Sequence, residues 1–224
     1  MSSFFGKVTK FALNVQNSKT LQQAAVIYRS NKTSQVSVQD SIYVLVSSQT
    51  YESVRCRKIG EYKLVYETEE TVVYQAKTHL IIGFRGSKTE SDFLDSDTSL
   101  VRGELAKTVR FKRTWEECRP YLGSEKKITF TGHSLGGSLS VCFVAAQQGD
   151  AVIFNAGYPP QGWTVSEEEF RRYPIHSYTT DKDVVSLYGI GKYQENTILR
   201  TDVKMTPLEA HSLAIFKYSS ISNI

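Results

Sequence analysis

The most informative segment of the sequence is Lys127-Ile-Thr-Phe-Thr-Gly-His-Ser-Leu-Gly-Gly137. Its first five residues predict a strand, and the small and apolar residues from Ser138 to Gln147 predict a helix directly after it. Gly132 and Gly136 flank Ser134 in the pattern Gly-x-Ser-x-Gly, which places a serine in a strained turn between a strand and a helix. Side chains at the two glycine positions would clash in so tight a turn. The stretch therefore predicts a nucleophilic serine at the carboxyl edge of a sheet.

Segments on both sides of this stretch alternate between strand and helix patterns. The apolar patterns predict strands at Tyr62–Tyr66, Thr71–Gln75, His79–Phe84, Ala151–Phe154, Ile175–Thr179 and Thr197–Arg200. They predict helices at Val38–Thr50, Thr108–Leu122 and Pro207–Tyr218. Alternation of this kind indicates an α/β fold with a mainly parallel central sheet flanked by helices. We expect a single domain over residues 1–224, with a helical segment at residues 1–30.

Residues 4–15 predict an amphipathic helix with a phenylalanine-rich face and with Lys7 and Lys10 elsewhere on its surface. One interpretation packs the apolar face on the body of the domain. The other places the helix in a membrane surface, with both lysines near anionic headgroups. Peripheral membrane contact through residues 4–15 is therefore one of two expectations for this segment.

Composition narrows the class of partner and the location. The net charge is +4, and the basic residues are scattered among acidic ones, which does not favour a nucleic-acid binder. The three cysteines show no metal-like spacing and indicate free thiols in a reducing compartment. No signal peptide or transmembrane segment is visible, so we expect a cytoplasmic or peripheral membrane location.

A serine nucleophile needs a base. In chains with this strand-turn-helix motif the order is serine, then an acid, then a histidine, so the base follows the serine. Only His176 and His211 lie downstream of Ser134. His211 begins an apolar helical stretch near the end of the sequence, where the base is expected, whereas His176 lies inside a predicted strand. His133 is adjacent to the serine, and its side chain should point away from it. These positions favour His211.

The acid that orients the base should lie between the serine and His211. Asp181 and Asp183 both follow the predicted strand that ends at Thr179, at the carboxyl edge of the sheet. Two valines anchor Asp183, whereas Asp181 is suited to cap the turn. Asp202 is a further alternative. We favour Asp183.

Four blocks in this order resemble the class 3 (fungal-type) lipases, a family with the α/β-hydrolase fold. They are Ile82-Gly-Phe-Arg-Gly-Ser87, Thr131-Gly-His-Ser-Leu-Gly-Gly137, Asp183-Val-Val185 and Leu208-Glu-Ala-His211. The resemblance spans roughly residues 38 to 218 and implies a catalytic triad of Ser134, Asp183 and His211. It also implies that Ser87 and Leu135 form the oxyanion hole.

The resemblance implies a carboxylic ester hydrolase acting on a lipid or small ester, such as a triacylglycerol lipase, a phospholipase A1 or a carboxylesterase. The expected chemistry proceeds through an acyl-enzyme on Ser134 and requires no metal or organic cofactor. Two alternatives remain open. The chain could be a catalytically inactive lipase-like binding or scaffold protein, or the same fold could catalyse acyl transfer, thioester hydrolysis or peptide cleavage.

Overall fold

A computed structural model of the chain describes residues 32–33, 35–87, 105–147, 149–158, 168, 171–186, 189–202 and 204–221. For residues 32–33 and 218–221 it describes the backbone alone. The predicted helical segment at residues 1–30, including the amphipathic stretch 4–15, lies outside the described residues.

The described residues form one central β-sheet. Its nine strands are β1 (Lys32–Thr33), β2 (Lys58–Ile59), β3 (Tyr62–Glu67), β4 (Thr71–Gln75), β5 (His79–Phe84), β6 (Lys127–His133), β7 (Asp150–Phe154), β8 (Ile175–Thr180) and β9 (Glu195–Leu199). Their order across the sheet is β1-β9-β8-β7-β6-β5-β4-β3-β2. The strands from β5 to β9, together with β1, pair in parallel. An antiparallel meander of β2, β3 and β4 completes the other edge, so the predicted mainly parallel sheet is confirmed.

Helices cover both faces of the sheet. They are α1 (Ser41–Gln49), α2 (Val109–Leu122), α3 (Leu135–Gln147), α4 (Pro207–His211) and α5 (Ala214–Ile221), with a 3-10 turn at Leu105–Lys107. Side chains of α2 and α3 form one core with Ile82 and Phe130. Side chains of α1 and α5 form a second core with Phe154 and Tyr178. Because successive strand residues point to opposite faces, Ile82 lies in the first core, whereas its neighbour Ile81 lies in a third apolar cluster.

The end of the chain differs from the sequence-based expectation. The prediction of one helix over Pro207–Tyr218 is wrong, because α4 ends at His211 and Ser212 adopts an extended backbone conformation (φ −65°, ψ 134°). The carbonyl group of Ala210 accepts hydrogen bonds from Asn155 Nδ2 (2.9 Å) and Thr180 Oγ1 (2.6 Å). These contacts with the ends of β7 and β8 stabilise the break, and His211 consequently ends a helix rather than beginning one.

The two-residue strands β1 and β2 were not predicted, because segments this short show no alternation of apolar and polar residues. In the part of the chain that the structure describes, no helix is long and apolar enough to cross a membrane.

Candidate active site

The turn between β6 and α3 consists of a single residue, Ser134, with φ at 56°. A positive φ is unfavourable for a residue with a side chain, so surrounding contacts must hold it. A Cβ atom on Gly132 would lie 2.7 Å from the Gly137 nitrogen, and one on Gly136 would lie 2.8 Å from the Phe84 carbonyl carbon. Both glycines are therefore sterically required, as the sequence pattern predicts.

Three predicted residues from separate segments meet at this turn. Ser134 Oγ lies 2.8 Å from His211 Nε2, and His211 Nδ1 lies 2.9 Å from Asp183 Oδ1. Because a carboxylate only accepts hydrogen bonds, Nδ1 carries a proton and donates a hydrogen bond to Asp183. In the neutral ring Nε2 then presents a lone pair to the hydroxyl group of Ser134. The array can therefore move a proton from the serine to the imidazole.

Asp183 is fully buried and makes several hydrogen bonds. Its Oδ1 accepts the backbone N–H of Val185 (3.0 Å), and Oδ2 accepts the backbone N–H of Ser186 (3.1 Å) and the Ser186 hydroxyl group. Burial alone would raise the pKa of Asp183. The positive charge that His211 can carry and the hydrogen bonds from His211, Ser186 and Val185 outweigh burial, and the pKa lies below its ordinary value. The carboxylate therefore stays ionised beside the imidazole.

Local sequence explains how His211 reaches the turn. Thr206 and Glu209 form a capping box at the start of α4, which fixes the helix one turn before the histidine. Asn155 then holds the carbonyl group of Ala210, the residue before His211, through a 2.9 Å hydrogen bond. Asn155 itself has a positive φ of 43°, which asparagine tolerates better than most residues do. The backbone on both sides of the histidine is thus held at defined positions.

The rival acids and the rival base have other partners. Asp181 Oδ1 accepts the N–H (2.9 Å) and hydroxyl (2.5 Å) of Thr201, and Asp202 Oδ1 accepts the N–H of Lys204 (2.8 Å). His176 lies in β8, with Nδ1 3.0 Å from Asp40 Oδ2. Of the candidates weighed from the sequence, the structure brings Asp183 and His211 to Ser134.

Ser87 and Leu135 both lie at the edge of the sheet where Ser134 is found. Ser87 follows β5, the strand next to β6, and Leu135 is the first residue of α3. The Ser87 Oγ atom is buried, and it has no hydrogen-bond partner among the described residues. The first amides of a helix have no acceptor within that helix, so the Leu135 amide is also available to a ligand. The two residues offer donors at the same edge as Ser134.

Three further residues contact these elements, although the sequence alone predicts no role for them: Asn155, Tyr51 and His133. An asparagine immediately after a buried strand is a signal for a left-handed backbone and could have drawn attention to Asn155. Tyr51 and His133 contact the site through residues distant in sequence, and no local pattern indicates these contacts.

Within the described residues, no group of three or more His, Cys, Asp or Glu side chains is arranged to hold a metal ion. The three cysteines are free thiols, with Cys118 and Cys142 buried in the core and Cys56 exposed.

Comparison with solved structures finds fungal lipases. The Rhizomucor miehei lipase propeptide complex matches with a TM-score of 0.45 and 13% identity, over 66% of this chain and 62% of that chain. The mono- and diacylglycerol lipase from Aspergillus oryzae matches with a TM-score of 0.42 and 15% identity, over 67% of this chain and 73% of that chain. This chain thus spans less than two thirds of the length of the Rhizomucor protein. No curated protein matches the sequence.

The model of one protein family covers most of the chain. It is described as the Tle-like phospholipase domain, is classed as phospholipase-like, and matches residues 46–205. The match begins within α1, includes Ser134 and Asp183, and ends just before α4. This family model confirms the expected relationship to the lipases, and the mainly parallel sheet with helices on both faces confirms the predicted α/β architecture. The chain belongs to the phospholipase-like family of Tle-like phospholipase domains.

Proposed function

We propose that this protein is a serine hydrolase that cleaves carboxylic esters of lipids through an acyl-enzyme on Ser134. The observation that carries the proposal is the continuous hydrogen-bonded array Asp183–His211–Ser134, with contacts of 2.9 Å and 2.8 Å, at a strained strand-to-helix turn. Membership of a phospholipase-like family supports a lipid ester as the substrate.

In the first half of the reaction, Ser134 Oγ attacks the carbonyl carbon of the ester while His211 Nε2 takes the hydroxyl proton. Asp183 holds the imidazole in the tautomer that can accept this proton and stabilises the resulting imidazolium. When the tetrahedral intermediate collapses, His211 returns the proton to the departing alcohol oxygen. The acyl group remains bonded to Ser134 Oγ.

In the second half, water replaces the alcohol. His211 takes one proton from the attacking water, and the hydroxide adds to the acyl carbon. Collapse of the second intermediate releases the fatty acid, and the proton on His211 returns to Ser134 Oγ. No other reactant is required.

The negative charge that forms on the carbonyl oxygen needs donors arranged before the reaction begins. We assign this role to the amides of Ser87 and Leu135. The buried Ser87 hydroxyl, which lacks a partner among the described residues, is a third donor for the same oxygen. A buried hydroxyl without a partner is energetically unfavourable, so its position supports binding of an acceptor during the reaction.

A fluorophosphonate probe tests the proposal, because it bonds covalently to an activated serine. Wild-type protein should be labelled and should hydrolyse p-nitrophenyl esters, and Ser134→Ala should do neither. Ser140→Ala is the matched control, because Ser140 is likewise a buried serine, lies within α3 and donates its hydroxyl to the Gly136 carbonyl (3.0 Å). Unlabelled wild-type protein, or full turnover by pure Ser134→Ala, would refute the proposal. Side-by-side assays on triacylglycerol, phospholipid, galactolipid and short-chain esters would then identify the lipid class.

A further inference from the structure

Tyr51, two residues after α1, reaches the active-site edge with its hydroxyl group. The ring is partly exposed, but the oxygen accepts the backbone N–H of Gly86 (2.9 Å) and lies 3.1 Å from His133 Nδ1. Burial of the hydroxyl raises the pKa of Tyr51 to about 12, so the group keeps its proton at neutral pH. It is therefore able to accept one hydrogen bond and donate another at the same time.

The other nitrogen of His133 fixes the direction of these bonds. His133 Nε2 lies 2.5 Å from the backbone carbonyl oxygen of His211, and a carbonyl oxygen only accepts, so Nε2 carries a proton. Burial, together with the nearby His211, lowers the pKa of His133 to about 3, and the ring stays neutral. Nδ1 of the neutral ring is then an acceptor for the Tyr51 hydroxyl. The three hydrogen bonds therefore run in one direction. The Gly86 N–H donates to the Tyr51 oxygen, and the Tyr51 hydroxyl donates to His133 Nδ1. His133 Nε2–H in turn donates to the His211 carbonyl.

Both ends of this chain of hydrogen bonds adjoin groups that we assign to the reaction. Gly86 immediately precedes Ser87, so the bond to Tyr51 orients the peptide next to an oxyanion donor. The carbonyl at the other end belongs to His211, and the rings of His133 and His211 have centroids 4.8 Å apart. The packing is tight as well, since a Cβ atom on Gly86 would lie 2.8 Å from the His133 carbonyl oxygen.

We propose that Tyr51 and His133 are positioning residues, which fix the Ser87 amide and the His211 imidazole relative to each other and to Ser134. This inference rests on the proposed function. Neither residue touches the reacting atoms in this role. They keep the oxyanion donors and the base at a fixed separation, and catalysis requires both groups to be held to within about 0.5 Å of the productive geometry.

Tyr51→Phe is the first test, because it removes one oxygen and keeps the ring. We expect kcat on a short-chain p-nitrophenyl ester to fall by at least about 10-fold with little change in KM, since the misplaced donors act on the transition state. Tyr74→Phe is the matched control. Tyr74 is a buried tyrosine whose hydroxyl donates to the Cys56 carbonyl (2.6 Å), and its variant should keep the wild-type kcat. Wild-type kcat in Tyr51→Phe would overturn the inference.

Two substitutions of His133 separate positioning from simple packing. His133→Gln keeps an N–H able to reach the His211 carbonyl, whereas His133→Leu removes both hydrogen bonds. We expect the glutamine variant to retain several-fold more kcat than the leucine variant when both are measured well below their melting temperatures. Equal losses in the two folded variants would contradict a positioning role.

A measurement independent of activity separates this inference from the proposed function. In nitrogen-15 NMR spectra of the wild-type protein, His133 should remain the neutral Nε2–H tautomer from pH 5 to 8, and the Nδ1 signal should shift in Tyr51→Phe. An Nδ1–H tautomer, or titration of His133 within this range, would overturn the inference even in an active enzyme. An unlabelled and inactive wild-type protein would instead refute the proposed function.

Discussion

The described residues include two arrays of carboxylate, imidazole and hydroxyl groups, which lie at opposite ends of β8. In the first, Asp183, His211 and Ser134 are joined by contacts of 2.9 Å and 2.8 Å. In the second, Asp40 Oδ2 lies 3.0 Å from His176 Nδ1, and His176 Nε2 lies 2.8 Å from Thr197 Oγ1. Hydrogen-bond distances alone do not distinguish the two.

The surroundings of the hydroxyl groups do distinguish them. Ser134 lies in a one-residue turn with positive φ, at the start of a helix, and the buried hydroxyl of Ser87 at the same sheet edge has no partner among the described residues. Thr197 lies within β9, where its backbone pairs with Tyr178 of the neighbouring strand. The second array joins the segment before α1 to the sheet, because Asp40 also accepts the Tyr178 hydroxyl (2.7 Å). We therefore attribute the proposed reactivity of Ser134 to the backbone conformation and the donors around its hydroxyl group, because the spacing of the two arrays is similar.

The two arrays should differ most in the effect on kcat when the hydroxyl group of each, on Ser134 or Thr197, is removed. Ser134→Ala should lower kcat by at least about 10⁴-fold, because the nucleophile is lost. Thr197→Val should leave kcat within about twofold of wild type, because its array lies at the other end of the sheet. Steady-state assays with a p-nitrophenyl ester decide this, and comparable losses in both variants would show that the second array contributes to the reaction.

The two carboxylates give the next contrast. Asp183→Asn should lower kcat by about 10³–10⁴-fold, because an amide side chain can hold the imidazole in the wrong tautomer. Asp40→Asn should keep kcat within about twofold and lower the free energy of unfolding by about 1–3 kcal/mol, because buried donors lose their charged acceptor. Denaturant unfolding followed by circular dichroism measures the second effect. A catalytic defect in Asp40→Asn, with stability unchanged, would reverse our assignment of the two arrays.

Lowering the pH should reduce the stability that each array gives to the folded protein. For Asp40, burial would raise the pKa, but the bonds to His176 and Tyr178 outweigh it, and the pKa is lowered as it is for Asp183. A carboxyl group with a lowered pKa stabilises the folded protein when the pH is above its ordinary pKa of 3.8. That stability is lost as the pH falls through the folded-state pKa. Each group can contribute a slope of at most about 1.4 kcal/mol per pH unit.

Unfolding measured from pH 6 to 2.5 checks this expectation. The stability of the wild-type protein should fall below about pH 4, and each Asp→Asn variant should lose less over that range than wild type does. A variant with the same acid limb as wild type would show that its carboxylate is not stabilised in the folded state.

The sequence predicts the nucleophilic turn and the sheet because their signals are local. Gly132, Gly136 and the adjoining apolar runs specify a strand, a turn and a helix within the 21 residues from Lys127 to Gln147. The short list of downstream acids and bases also contained Asp183 and His211. The break after His211 was missed, since it depends on Asn155 and Thr180 binding the Ala210 carbonyl from distant strands. The contact between Tyr51 and His133 was missed for the same reason, because 82 positions separate the two residues.

The order of strands in the sheet affects when the site can form during synthesis. From β5 to β9 each strand lies beside the one made just before it, so the sheet can grow by addition at one edge as the chain leaves the ribosome. Ser87, Ser134 and Asp183 follow the ends of β5, β6 and β8 and are present early. His211 arrives only with α4, after the last of these strands. A nascent chain therefore holds Ser134 without His211, and the array that we propose to cleave esters is complete only when α4 docks against Asn155 and Thr180.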